Sequence, residues 1–362
     1  MQHFALACVV SVLWVILGYS LAFSEGNEWI GGFSNIFMSA IGVDTPSGSI
    51  PESLFATFQM TFAIITPALM IGAFVERIKF SAMLIFLSMW LLIVYVPVTH
   101  WVWGGGILSS WGTMDFAGGI VVHATAGTAA LVTALTLGKR RGFPKSITPP
   151  HSPILTMIGA SMLWIGWFGF NAGSALGANG GAGMAMLVTH ISAATASLVW
   201  MFIEWKRFGK PSLIGIVTGM VAGLATVTPA SGYIGVPGGL ILGFFGGLLC
   251  YLAVDFIRGK LQIDDSLDVF AVHGVGGILG TLLVAFLATS TFSGLGLAEG
   301  QTAVTQFFVQ LKAVILTVVW TSVFTYLILK ITSFIVPLRV EEQEEIEGLD
   351  LRSHGEKGYH SD

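Results

Sequence analysis

DFAGGIVVHATAG, residues 115–127, opens with a carboxylate and sets an imidazole, His123, inside an otherwise apolar helical run. Near the other end of the chain DVFAVHGVGGILG, residues 268–280, repeats the theme with His273. An ionisable side chain within a membrane span marks a functional site by default. Because helix neighbours fall at i+3 and i+4, Gly119, His123 and Gly127 share one stripe, and His273, Gly276, Gly277 and Gly280 share another. Each histidine thus lies on a face stripped of bulk, which either packs tightly against another helix or lines a narrow path.

The rest of the chain agrees with a membrane setting. Hydrophobic residues make up 54% and charged residues only 10% of the 362 positions, with a mean hydropathy of +0.82. That is too apolar for a soluble domain of this length. The chain is therefore read as an all-α polytopic membrane protein. Net charge is −4, and the charges lie between apolar runs or in the tail, without a patch suited to nucleic acid. Cys8 and Cys250 both fall in apolar runs and read as packing residues. No removable signal peptide is read at the N-terminus.

Runs able to cross about 30 Å of hydrocarbon place ten predicted transmembrane helices at 2–23, 52–75, 80–99, 117–138, 153–174, 183–204, 212–228, 238–257, 269–290 and 304–336. Lys and Arg follow every second span: Arg77 and Lys79, Lys139 to Arg141 with Lys145, Lys206, Arg207 and Lys210, Arg258 and Lys260, then Arg339. The alternate loops contain neither residue, so the positive-inside rule predicts both termini in the cytoplasm. Pro67 is expected to bend or locally open the second span. Residues 101–112, WVWGGGILSSWG, read as an outer interfacial loop or vestibule wall. The two halves each end in a span carrying an Asp and then a His, one running inward and one outward, as in an inverted repeat. Residues 1–338 form a membrane domain, with halves at about 1–138 and 153–290 and a last helix at 304–336. Residues 339–362 form a tail with eight of the twenty acidic residues, expected to be solvated.

Phe58 and Phe62 stack on one helix face, as do Phe170 and Ser174 in WFGFNAGSA. Such aromatic pairs are more often core than site. Together with Trp103 and the two histidines, however, they carry a specific likeness. The chain resembles the ammonium transporter family, Amt/MEP/Rh, through ILGYSLAF, FQMTFA, VERIKFSA, HWVWGGG, DFAGGIVVH, WIGWFGFNAGS, VTPASGYIG, DVFAVHGVGG and EGLDLRSHGE. The likeness is closer to the bacterial Amt branch than to Rh proteins.

That resemblance implies an eleven-helix inverted-repeat fold and a homotrimer with one pore per subunit in the plasma membrane. It makes Phe62, Trp103 and Ser174 the outer recruitment site for NH4+, with Phe58 a secondary aromatic. It makes Phe62 with Phe170 the gate, His123, His273 and Thr228 pore-lining, and Asp115 a structural and electrostatic carboxylate near the mouth. Capping of a helix N-terminus is also expected of Asp115, and is the whole role expected of Asp268. His100, beside the aromatic stretch, is expected to satisfy local backbone. The resemblance further implies a tail docked on the inner face, its acidic stretch facing the basic loops around Lys139 to Arg141, with a PII-type signalling protein as partner, and neither cofactor, metal nor enzymatic turnover. The family's first helix finds no counterpart in these runs, and a late start codon or an N-terminal truncation is expected before a genuine ten-helix variant.

The physical chemistry fits. A compact cation over Trp and Phe faces gains about 0.5–2 kcal/mol of cation–π attraction, but a dry pore without rings of carbonyls or carboxylates is costly for an intact cation. NH4+ can leave its charge behind as a proton, and K+ cannot. Two buried histidines are expected to be mainly neutral, each able to donate and accept. Two alternatives remain: an ammonium sensor signalling through the tail, and a bis-histidine haem or quinone redox protein.

Overall fold

In the computed structural model, which describes residues 1–358, apolar helices stand at all ten of these stretches. They are α1 Gln2–Phe23, α2 Glu52–Phe74, α3 Phe80–Ser110, α4 Gly119–Leu137, α5 Pro153–Gly173, α6 Gly180–Phe208, α7 Leu213–Val227, α8 Val236–Lys260, α9 Phe270–Leu287 and α10 Ala303–Ile335. All but α7 are long enough to cross a membrane. The 15 residues of α7 rise only about 22 Å, and the chain then turns through 228–235 inside the protein. Irregular backbone among membrane helices survives where protein satisfies it. Here the Pro229 carbonyl accepts the Phe116 N–H at 3.0 Å, so this turn and the unwound residues before α4 hold each other.

Side-chain oxygens of Ser152, Asn179, Ser212 and Thr302 cap α5, α6, α7 and α10. Helix α2 stays continuous through Pro67 and does not open there; the missing N–H leaves the Ala63 carbonyl without its ladder donor, and one residue away the Thr66 hydroxyl adds a bond to the Phe62 carbonyl at 2.7 Å. One sequence expectation is corrected. Trp101 and Trp103 are not in a loop but in the last turn of a helical stretch, Val96–Trp103. Only Gly104, Gly105 and Gly106 break α3, with Gly105 at φ +84°, a conformation that a side chain would strain.

Beside the main apolar core, which draws mostly on α1 to α4, α4 crosses α9. Gly119 lies beside Thr281, and Gly127 beside Gly274, so the two helices run antiparallel. A Cβ on Gly127 would strike the Gly274 backbone, and one on Gly277 would strike the His123 side chain. The glycine stripes therefore serve close packing of one histidine helix on the other. Both helices begin in a widened π-helical turn, Gly119–Ala124 and Phe270–Gly274, and each turn contains the histidine. The His123 N–H reaches back five residues to the Gly118 carbonyl at 2.9 Å. Such turns recur at functional sites.

Arg77, Arg140, Arg258 and Arg339 mark one end of the bundle. Arg77 is fully buried, donating to Ser266 Oγ at 2.8 Å and to the Ala73 and Asp264 carbonyls at 2.9 and 2.6 Å. Arg140 pairs with Asp264 at 2.9 Å and Glu76 at 3.1 Å. The tail enters this cluster through two backbone bonds, Lys79 N–H to Leu338 carbonyl at 2.8 Å and Val340 N–H to Arg77 carbonyl at 3.0 Å. It continues as two short helices, α11 Glu342–Glu347 and α12 Leu349–His354. Glu345 binds Arg339 at 2.8 Å and the Arg141 N–H at 2.7 Å. The acidic tail is thus docked on the basic loops, as the resemblance implies, rather than freely solvated as its charge alone suggests, because Glu345 finds a cation and a backbone donor there. Its final residues 359–362 lie outside the described residues.

Candidate functional site

Three helices bring the predicted aromatic residues together. Phe62 on α2 lies 4.4 Å from Phe170 on α5, ring centre to ring centre, and 5.5 Å edge-on from Trp103 at the break in α3. Phe58, one turn from Phe62, adds a further edge contact at 4.9 Å. The Trp103 indole N–H donates to the Asp115 carbonyl at 2.9 Å, which fixes the ring. Ser174 ends α5 and donates its hydroxyl to the Phe170 carbonyl at 2.8 Å, leaving oxygen lone pairs to accept.

The Asp115 carboxylate is buried and takes four backbone N–H groups, Gly118 and Gly119 on one oxygen and Ile120 and Val121 on the other, at 2.6–3.2 Å. It caps the start of α4, where unpaired donors and the helix dipole favour an anion. Asp268 does not do the same for α9. It sits in a turn at φ +57°, 3.6 Å from Arg258, while Asp265 accepts the Phe270 N–H at 2.7 Å. Asp115 and Asp265 each stand eight residues ahead of their histidine. The internal correspondence therefore pairs Asp115 with Asp265, and Asp268 turns instead towards Arg258.

Beneath the aromatic cluster runs a ladder of parallel rings. The His123 ring lies near-parallel to Trp167 at 5.4 Å and 15° and to Phe170 at 6.0 Å and 11°, and edge to edge with His273 at 5.2 Å and 19°. The two Nδ1 atoms approach to 3.2 Å, so one carries a hydrogen and the other accepts it. His123 Nε2 is buried without a protein partner. Thr228 reaches this ladder through its hydroxyl, which accepts the Trp167 indole N–H at 2.9 Å and donates to the Leu224 carbonyl at 2.7 Å.

Trp167 is the residue that sequence reasoning missed. Its signal was present, since Trp167, Phe170 and Ser174 follow at helical spacing on α5. His100 binds backbone, but not locally: its ring nitrogens lie 2.9 and 2.7 Å from the Ala22 and Asn27 carbonyls, tying α3 to the end of α1. Cys250 is buried as expected, whereas Cys8 is exposed, because α1 turns Leu6, Val10 and Trp14 inward instead. Among the described residues no group of His, Cys, Asp and Glu side chains could hold a metal ion.

Apolar helices packed around a buried polar track define a multi-pass membrane protein of the transporter class. Comparison with known proteins narrows the class. The chain belongs to the Ammonium Transporter Family, whose model matches residues 1–359. It is 43% identical to an ammonium transporter of Bacillus subtilis (strain 168), over 99% of this chain and 89% of that protein. Among solved structures it is similar to a protein titled Sensor Amt Protein, with a TM-score of 0.89 and 29% identity over 98% of this chain and 89% of that one. It is also similar to Candida albicans Mep2, with a TM-score of 0.86 and 35% identity over 94% of this chain and 78% of that one. The fold is thus that of the Amt and Mep2 transporters, and the relatives are named for ammonium transport.

Proposed function

We propose that NH4+ is recruited at Phe62, Trp103 and Ser174, gives up its proton at the Phe62–Phe170 gate, either to water on the outer side or to the imidazoles as a separate proton route, and crosses as NH3 past His123 and His273. The observation that carries this reading is the order of the rings: Phe62 against Phe170, Phe170 parallel to His123, and His123 parallel to His273. Aromatic faces hold a cation at the mouth. Below them the contacts are apolar rings, and two imidazoles are the only titratable groups in the ladder, so a charge that enters has no anionic partner. Shedding the proton removes that cost. The free imidazole nitrogens then accept from or donate to NH3, while Asp115, spent on capping, contributes its field and holds Trp103 in place.

Residues 1–338 act as the membrane domain and 339–362 as a regulatory tail, both termini being cytoplasmic and the membrane the cell's inner, plasma membrane. The protein works as a homotrimer, and its docked tail offers a surface to a PII-type protein. A second reading, an ammonium sensor that uses the same pore, is favoured by the likeness to the Sensor Amt Protein. A bis-histidine haem is disfavoured by geometry, since facing nitrogens at 3.2 Å leave no room for a macrocycle between them. The test is an ammonium pulse to proteoliposomes, read as current and with an entrapped pH dye. Saturable ammonium flux without K+ flux supports transport, and silence in both readouts contradicts it.

A further inference from the structure

The start of α10 carries a polar device that no step above uses. Residues 112–115, between α3 and α4, have no regular structure, so their backbone groups need other partners. Gln310 meets Met114 in both directions: Nε2 donates to its carbonyl at 2.7 Å, and Oε1 accepts its N–H at 2.8 Å. Gln310 Nε2 also donates to the Thr281 carbonyl of α9 at 2.9 Å. One turn earlier, Gln306 Nε2 donates to the Gly112 carbonyl at 3.0 Å and to Gln310 Oε1 at 3.1 Å. Lys312 covers the neighbouring Trp111 ring at 3.5 Å. Both glutamines are buried, and burying two amides in an apolar helix is costly unless each is fully bonded. Ordinary helix packing needs neither. What they hold lies next to the mouth, because the residue after Met114 is Asp115, whose carbonyl fixes the Trp103 indole.

We propose that Gln310, backed by Gln306, is a positioning residue for the outer ammonium site, holding Met114 and Asp115 so that Trp103 presents its face to the incoming cation. The inference rests on Trp103 being part of the recruitment site. Cation–π attraction depends on the cation lying over the ring face. Releasing Met114 leaves the Asp115 carbonyl held from one side only, by its carboxylate's bonds at the start of α4 and by the Phe116–Pro229 bond, so the Trp103 ring loosens while the histidine ladder stays untouched. The clamp therefore governs the concentration at which transport half-saturates and not its maximal rate.

The test measures initial transport rate against ammonium concentration in proteoliposomes of the full chain, by current and by an entrapped pH dye. Gln310→Met should raise the half-saturating concentration about fivefold while keeping the maximal rate per folded protein within about twofold. Gln306→Met, which frees only the Gly112 carbonyl and Gln310 Oε1, should shift it less and in the same direction; it carries the test if Gln310→Met aggregates on size exclusion. Thr317→Val, which removes an unpartnered buried hydroxyl from the same helix, should change nothing. A loss of maximal rate alone, or an equal shift in Thr317→Val, overturns the inference. So does an unchanged half-saturation in both glutamine variants when Trp103→Leu raises it. An unchanged value in Trp103→Leu instead removes the recruitment reading itself, and the clamp's purpose with it.

Discussion

His123 and His273 present their Nδ1 atoms to each other at 3.2 Å, and the helices that carry them touch backbone to backbone at Gly127 and Gly274. The second relationship produces the first. Only where two helices approach without side chains between them can two short imidazoles form one hydrogen-bonded unit with their outer nitrogens left over.

Replacing either histidine breaks that unit. His123→Ala and His273→Ala should each lower the ammonium rate about tenfold, the scale of losing one hydrogen-bonding partner in a dry site, or admit K+. Flux assays with ammonium and K+ in parallel distinguish these outcomes. Full rate and selectivity in both variants would show that the ladder is not the path.

The gate makes a different prediction. Phe170→Ala removes the ring that lies between Phe62 and His123. It should let water reach the imidazoles and raise K+ leak, with folding retained. Trp103→Leu should instead weaken recruitment, raising the half-saturating concentration several-fold, about 1 kcal/mol of cation–π attraction.

Packing at the crossing is tested by Gly127→Val. The added side chain meets the Gly274 backbone, which cannot rotate away, so the variant should lose at least about 1–3 kcal/mol of stability. Thermal unfolding in detergent would read this as a lower midpoint, and an unchanged midpoint would mean that the helices can separate freely.

Much of this was legible in the residues. Long apolar runs separated by basic loops reveal the helices because burial in lipid leaves little choice of residue, and His123 and His273 stand out as ionisable groups on glycine stripes, whereas the places of Phe62, Trp103 and Phe170 came from the resemblance to the ammonium transporter family. What stayed hidden depends on backbone conformation. In DSLDVFAVH the one hint that Asp265, and not Asp268, caps α9 is its eight-residue distance from His273, the distance of Asp115 from His123; the positive φ of Asp268 is not written in the sequence. The π-helical turns at both histidines are equally silent, since one extra residue per turn leaves no mark on composition. Trp167 was concealed differently, as one tryptophan among eleven. That the acidic tail meets the basic loops follows from the resemblance, but that Glu345 is the carboxylate that does so needed its contacts with Arg141 and Arg339.

The tail can be separated from the pore experimentally. Deleting residues 347–362 should leave folding intact but lower transport or abolish control by a PII-type protein. Glu345→Gln, which weakens the contact with Arg339 and Arg141, should loosen the tail without removing it and increase protease cleavage near residue 340. Unchanged transport, regulation and cleavage would leave the docking without consequence.

The carboxylates at the basic end predict how stability follows pH. Burial pushes the Asp268 carboxyl up to about 7 despite Arg258 nearby. Its charged form is thus disfavoured in the folded protein, and this contribution makes stability rise as pH falls from about 7 towards 4, the unfolded value. Burial acts the same way on Asp264, but the hydrogen bonds of Arg140 outweigh it and hold that carboxyl below its ordinary value. Its contribution is present above about pH 4 and is lost under stronger acid. Asp268→Asn should therefore flatten the rise between pH 7 and 4 and leave the acid loss in place, as thermal midpoints across pH would record. An unaltered slope would contradict the assignment to Asp268.

The most direct measurement is ammonium flux through the full chain in proteoliposomes, recorded as current and as internal pH, beside His123→Ala and His273→Ala at equal folded amounts. The account predicts saturable ammonium flux and K+ exclusion in the intact protein, with one or the other lost in each variant. Ammonium flux of equal rate and selectivity in all three proteins would contradict it.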